Sequence, residues 1–252
     1  MITTTNTAYE YHVQSRNSAA YKYMRNEHLV HYRDDIKAIT AEKNVSLSTE
    51  HIKLPHAAPL QDVSLHRALM NRASNREFGE SISLGELASV LYYANGTKEV
   101  RNQFGDSRYN RFAPSSGGMN SVEAFAIVLN VRGLANGIYY YNHRQHTLQA
   151  VRLGEFHDWL SEEVFYQTEW SRAGACVVLT SSFGKLAKKY GLRAYRLSLL
   201  DTGLVAQNIY LTASALDLKA CASAGFIDDE LNEALQVDGY ETAAFLTVMV
   251  GK

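Results

Sequence analysis

Lys188-Lys189-Tyr190-Gly191-Leu192-Arg193-Ala194-Tyr195-Arg196 gathers two lysines, two tyrosines and two arginines within nine residues. Lys185 precedes it by one turn, Arg193 and Arg196 stand three apart, and a long apolar run follows. A lysine desolvated among other cations loses its proton near neutrality and becomes a base. The same residues also suit a basic helix start facing water. Cations are disfavoured at a helix N-terminus, so a further demand is expected to hold them there.

Arg72-Ala73-Ser74-Asn75-Arg76 spaces two arginines and a serine at alternate positions, which share one side of an extended segment. Forked guanidinium donors flanking a hydroxyl fit an anion, although a solvated charged turn has the same composition. Pro114-Ser115-Ser116-Gly117-Gly118-Met119-Asn120 offers adjacent glycines through which backbone donors approach a planar or phosphorylated ligand. It lacks the lysine of a P-loop and does not fit GxGxxG, so alone it reads equally as a plain loop. Ala222-Ser223-Ala224-Gly225-Phe226 is a small-residue approach to an aromatic, either a ligand edge or a tight turn.

Other chemistries lack their residues. His28/His31 and His143/His146 have three-residue spacing without a third ligand cluster, so no metal site is expected. There is no GxSxG elbow. Cys221 has no histidine nearby in sequence, and both Cys176 and Cys221 read as buried, reduced structural thiols.

The elements that must position these groups follow from local pattern. Ser64 caps a helix carrying Leu65, Ala68 and Leu69. Ser83 and Glu86 form a capping box for a helix that stops before Gly96. Residues 124–131 and 175–180 are apolar runs of strand length, 137–141 and 147–152 form a hairpin, and 243–250 is a closing strand. A helix is expected at about 154–165. A long one at about 193–216, apolar over much of its circumference, is expected to be central and largely buried. Asp228 is expected to cap a short helix ending near Leu235. The class is α+β with helices on both sides of a sheet.

Bulk properties agree with an ordinary globular protein. The chain has 252 residues, 46% hydrophobic and 20% charged, with a formal net charge of -1. Such a balance gives no nucleic-acid footprint. A polar N-terminus and the lack of about 18 consecutive apolar residues lead us to expect a cytoplasmic protein with no membrane span. Residues 1–60, tyrosine-rich and weakly periodic, are expected to be an N-terminal extension to one domain at 61–252.

The order RxSxR, PSSGG, GIYYYN, KYGLRAYR with LDTGLVAQN, AGF and a final VGK resembles the nitroreductase-like FMN flavoproteins. Within them it looks most like the SagB-type thiazoline/oxazoline (azoline) dehydrogenases of modified-peptide pathways. The resemblance covers about residues 62–252 and implies a three-layer α-β-α sandwich. Its central sheet would be mixed and mainly antiparallel, with a long buried helix. It implies FMN held at a homodimer interface, with Arg72, Ser74 and Arg76 on the phosphate and ribityl chain. Pro114, Ser115, Ser116, Gly117 and Gly118 would approach the isoalloxazine from the other subunit. Ala224 and Gly225 would lie near the reactive edge, and Lys252 would approach the phosphate. Lys189 and Tyr190 match the family's catalytic Lys-Tyr pair. Asn120-Ser121-Val122-Glu123 departs from the Tyr-Pro that relatives carry before the glutamate, so the substrate-facing wall is expected to differ.

The function implied is oxidation of azoline rings in a ribosomally made peptide, with Lys189 as general base, Tyr190 beside it, and oxygen as final acceptor. A cyclodehydratase partner accompanies such enzymes. Two alternatives stay open: an NAD(P)H-dependent nitro- or quinone reductase of the same fold, and a non-catalytic flavoprotein scaffold.

Overall fold

A computed structural model describes residues 10–11, 13–15, 48–60, 62–101, 107–165, 170 and 172–252. Most of the expected N-terminal extension, including His28 and His31, lies outside the described residues. Seven strands form one sheet: β1 (Ile52–Lys53), β5 (Val122–Val128), β7 (Gly137–Asn142), β8 (Thr147–Leu153), β9 (Ala175–Ser182), β10 (Lys219–Ser223) and β11 (Thr242–Gly251). Their order is β1-β8-β7-β5-β9-β11-β10, antiparallel throughout. Two short pairs stand apart: parallel β2 (Ile82–Ser83) with β6 (Val131–Arg132), and antiparallel β3 (Thr97–Arg101) with β4 (Ser107–Arg111).

Strand alternation divides the core in two. Ala124, Ala126 and Val128 of β5 join Val177 and Leu179 of β9 on one face, while Phe125, Ile127, Cys176 and Val178 fill the other. Helices α1 (Leu65–Asn71), α2 (Leu84–Asn95), α3 (Phe183–Tyr190) and α4 (Ala194–Ala215), with α5 (Asp228–Leu235), complete the layers. Leu87, Val90 and Leu91 of α2 and Val205 and Ile209 of α4 cover the first face. Leu231 and Leu235 of α5, with Leu160 and Val164, cover the second. The result is a three-layer α-β-α sandwich. Among the described residues no helix is long and apolar enough to cross a membrane.

Local signals act as expected at α1 and α2. Ser64 accepts from the Arg67 amide, and Ser83 and Glu86 form the reciprocal box, worth about 1 kcal/mol. Three other segments differ from expectation. The helix at 154–165 begins only at His157 and becomes a single π turn over Leu160–Val164, closed by the Phe165 amide on the Leu160 carbonyl. That wider turn lets Leu160 and Val164 both bury fully. Asp228 does not cap α5: Ile227 holds the cap position, and Asp228, Asp229 and Glu230 form the first turn, where negative charge meets the helix dipole. The third is the corner at Gly191.

Lys188, Lys189 and Tyr190 do not open the long helix. They end α3, and Gly191, at φ +55°, breaks the chain before a 3-10 turn leads into α4. The two lysines therefore sit at a helix C-terminus, where cations are favourable. On α4, Asp201, Val205, Ile209 and Ala213 face inward, whereas Leu199, Leu200 and Leu204 are exposed in the single chain.

Candidate active site

Two groups of predicted site residues form on either end of α4. The first runs along edge strand β10. Beyond the end of α1, Arg72 turns extended, Ser74 bridges Ala220, and the Asn75 amide donates to the Ala220 carbonyl at 2.9 Å. Arg72, Ser74 and Arg76 are all exposed, and no carboxylate pairs with either arginine among the described residues. Tyr210 of α4 orders this segment. Its hydroxyl accepts from the Ala222 amide at 2.7 Å and lies 3.0 Å from Ser74 Oγ, while Arg72 stands 5.6 Å from its ring centre. Since the phenol oxygen already accepts, its proton is available to Ser74.

At the far end of β10, Ala224 is exposed, and the Gly225 amide donates to Ser223 Oγ at 2.9 Å. Lys252 turns elsewhere. Its ammonium pairs with Glu86 at 2.7 Å, and its carbonyl accepts from the Gly79 and Glu80 amides. Burial raises the Glu86 pKa, but Lys252 and the Ser83 donors outweigh it and hold the carboxyl below its usual range.

The second group joins the loop between β4 and β5 to the end of α3. Ser116–Gly118 make one 3-10 turn, with Gly117 at φ +59° and Gly118 at φ +68°. Pro114 and Gly118 face solvent, and Ser115 Oγ accepts from the Asn120 amide. Asp201, only 3% exposed, anchors the turn by accepting from the Ser116 amide at 2.9 Å and from Ser116 Oγ at 2.8 Å. Gly117 lies against the Lys-Tyr pair: a Cβ there would overlap the Tyr190 hydroxyl and reach 2.7 Å from Lys189 Nζ. The ammonium is 5.2 Å from the Tyr190 ring centre. PSSGG and Lys189-Tyr190 therefore adjoin within one chain.

Asp201 and Tyr210, nine residues apart on one helix, set the two groups roughly 13 Å apart along its axis. Sequence reasoning missed both residues. The only signal was polarity within the apolar repeat of α4, an acid and a tyrosine on otherwise inward positions.

The bystanders resolve as well. His143 Nδ1 lies 2.6 Å from Thr97 Oγ1, whereas His146 meets the Tyr141 hydroxyl and the Pro55 carbonyl, so the two histidines serve different partners. Cys176 and Cys221 are buried free thiols, and burial pushes both pKa values up, away from the reactive thiolate.

Comparison with known proteins points to one family. The nitroreductase family model matches residues 69–252. The nitroreductase homologue MJ1384 of Methanocaldococcus jannaschii is 28% identical over 193 residues, covering 76% of this chain and 92% of its own. The trifolitoxin-processing protein TfxB of Rhizobium leguminosarum bv. trifolii is 25% identical over 175 residues. That match takes in 67% of this chain but 47% of TfxB, so the chain spans less than half of that relative. A nitroreductase structure from Anabaena variabilis superposes with TM-score 0.65 at 27% identity, over 80% of this chain and 40% of its own. A chain of the E. coli microcin synthetase McbBCD complex, solved with truncated pro-MccB17 bound, superposes with TM-score 0.61 at 20% identity, over 87% and 81%. The match over most of its length and the shared fold place this chain in the nitroreductase family of oxidoreductases.

Proposed function

We propose that the chain is an FMN-dependent dehydrogenase that oxidises thiazoline or oxazoline rings in a ribosomally made peptide to thiazole or oxazole. The observation that carries this reading is the seat of Gly117 against Lys189 and Tyr190, an amine and a phenol suited to proton transfer beside the glycine-rich turn. The names of two similar proteins support the peptide substrate: one processes trifolitoxin, the other belongs to a microcin synthetase with its pro-peptide bound. A cyclodehydratase would be the natural partner, since it makes the ring that is oxidised.

The residues present fit FMN. Arg72 and Arg76 are exposed guanidiniums without a carboxylate partner among the described residues, flanking the Ser74 hydroxyl, the donor set of a phosphate site. Gly118 is open, with nothing within 4 Å of where a Cβ would stand. Bound FMN would supply the two-electron acceptor for the hydride that leaves the ring. Lys189, as the free amine, takes the acidic proton from the adjacent ring carbon, Tyr190 stands beside it, and aromatisation drives the loss of both hydrogens.

The separation of the two groups along α4 and the exposed Leu199, Leu200 and Leu204 support a homodimer in which each flavin draws on both subunits. Residues 61–252 would form the FMN-binding domain and 1–60 its extension, which adds β1 to the edge of the domain's sheet. Tyr11, packed edge-on against Tyr195 at 5.6 Å, is part of that extension.

The test is an absorption spectrum of the purified protein, then an azoline peptide in air. Flavin bands with a 2 Da mass loss are expected, and Lys189→Ala should keep the flavin while lowering kcat by about 10²–10⁴. Full oxidation by Lys189→Ala would sink the assignment, and rapid bleaching by NADPH without peptide oxidation would favour a reductase.

A further inference from the structure

A polar cavity of about 340 Å³ is lined by Thr97, Arg111, Asn120, His143 and Arg144. Its wall joins the β3–β4 hairpin, the loop after Pro114 and the turn between β7 and β8. The volume suits part of a peptide or a small ligand. Arg111 is deeply buried. It donates to the Asn95 carbonyl at 3.0 Å and to Glu123 at 3.1 Å, yet its Nε–H has no acceptor among the described residues. A buried donor without an acceptor is unfavourable and uncommon. Arg144 forms no ion pair among the described residues.

Glu123 is already engaged by Arg111 and by the Tyr140 hydroxyl at 3.0 Å. Lys185 of α3 belongs to the same field. Burial, aided by Arg111 and Arg144, pushes its ammonium pKa down against the opposing effect of Glu123. Among the described residues, Lys185 thus feels two further cations, Arg111 and Arg144, against one carboxylate, an arrangement relieved when an anion enters.

Lys185 precedes Lys189 by one turn on the same helix face, roughly 5–6 Å away. Asn120 of the cavity wall stands three positions from Gly117, which seats against Lys189, and an extended chain advances about 3.3 Å per residue, so at most about three residues bridge the cavity and the base. We propose that this cavity receives an acidic side chain of the peptide substrate, carried within about three residues of the ring that Lys189 deprotonates. The identity of the ligand rests on the peptide-dehydrogenase reading, its charge on the cavity alone. Arg144 presents the fork that grips a carboxylate bidentately, and Thr97, Asn120 and His143 complete a polar wall.

The test compares labelled azoline peptides that differ only in Glu or Gln at the first, second or third residue from the ring. They are titrated against FMN-loaded protein by fluorescence anisotropy, with inorganic phosphate as competitor. A Glu peptide is expected to bind about tenfold tighter than its Gln twin. Arg144→Ala should abolish that preference, Arg144→Lys should keep part of it, and both should retain FMN. Equal binding of Glu and Gln peptides, failure of both to bind, or a preference that survives Arg144→Ala overturns the inference. So does loss of FMN from Arg144→Ala, or phosphate competing as well as the Glu peptide, since either gives the cavity to a phosphate. Mass spectrometry separates the two readings: Glu preference without the 2 Da loss keeps the cavity and removes the dehydrogenase, and the reverse result does the opposite.

Discussion

Gly117 and Tyr190, 73 positions apart in the chain, meet so closely that no side chain fits between the turn and the phenol oxygen. The contact joins two segments whose neighbourhood no local pattern announces, and it sets where Lys189 stands. Gly117→Ala should therefore displace Tyr190 and Lys189 together. A left-handed backbone also costs an alanine about 1–2 kcal/mol. We expect kcat to fall at least tenfold and Tm to drop more than in Gly118→Ala. That second variant carries the same backbone strain at φ +68° without a clash. Equal melting temperatures for the two would contradict the packing.

Asp201 holds the turn by accepting from the Ser116 amide and hydroxyl. Asp201→Ala leaves these donors unpaired and should cost about 1.5–3 kcal/mol in urea unfolding at neutral pH. Activity should fall as well, because the turn would lose its position against Lys189. A change below about 0.5 kcal/mol would show that the turn is held by other means.

The Glu86–Lys252 pair ties the end of the sequence to the start of α2. Because the folded pKa of Glu86 lies below its unfolded value, its stabilisation is fully present above that value, about 4.3, and is lost as pH falls through the folded one. Glu86→Gln should accordingly be less stable than the parent at pH 7 and converge with it in acid. Thermal melts across this range check the sign, and a gap that widened toward low pH would refute it.

Lys185 makes the opposite case. Its folded pKa is lowered, so holding it protonated costs stability below that pKa, and the cost is relieved as pH rises through it toward about 10.4. Lys185→Met should raise Tm at pH 7, with the advantage shrinking in alkali. In calorimetry, a lower Tm at pH 7 would count against the burial argument.

Much of the framework was legible in local pattern. The Ser83/Glu86 box, the alternation through β5 and β9, and the hairpin of β7 and β8 follow from backbone capping and strand periodicity, which act over a few residues. The order of RxSxR, PSSGG and Lys-Tyr carried the family resemblance for the same reason: each motif is contiguous. The chain itself also determined which residues had the chemistry to serve.

What that chemistry could touch was decided only in three dimensions. Gly191 separates two helices where one was expected to begin, because its left-handed backbone turns the chain between α3 and α4, and this moves Lys189 from a helix start to a helix end. Asp201 reaches Ser116 across 85 positions and Ser74 reaches Tyr210 across 136. The cationic cavity likewise draws on hairpin, loop and turn at once. Such pairings arise from burial and register across the sheet, whose free energy belongs to the packed whole, so no short window of sequence contains them.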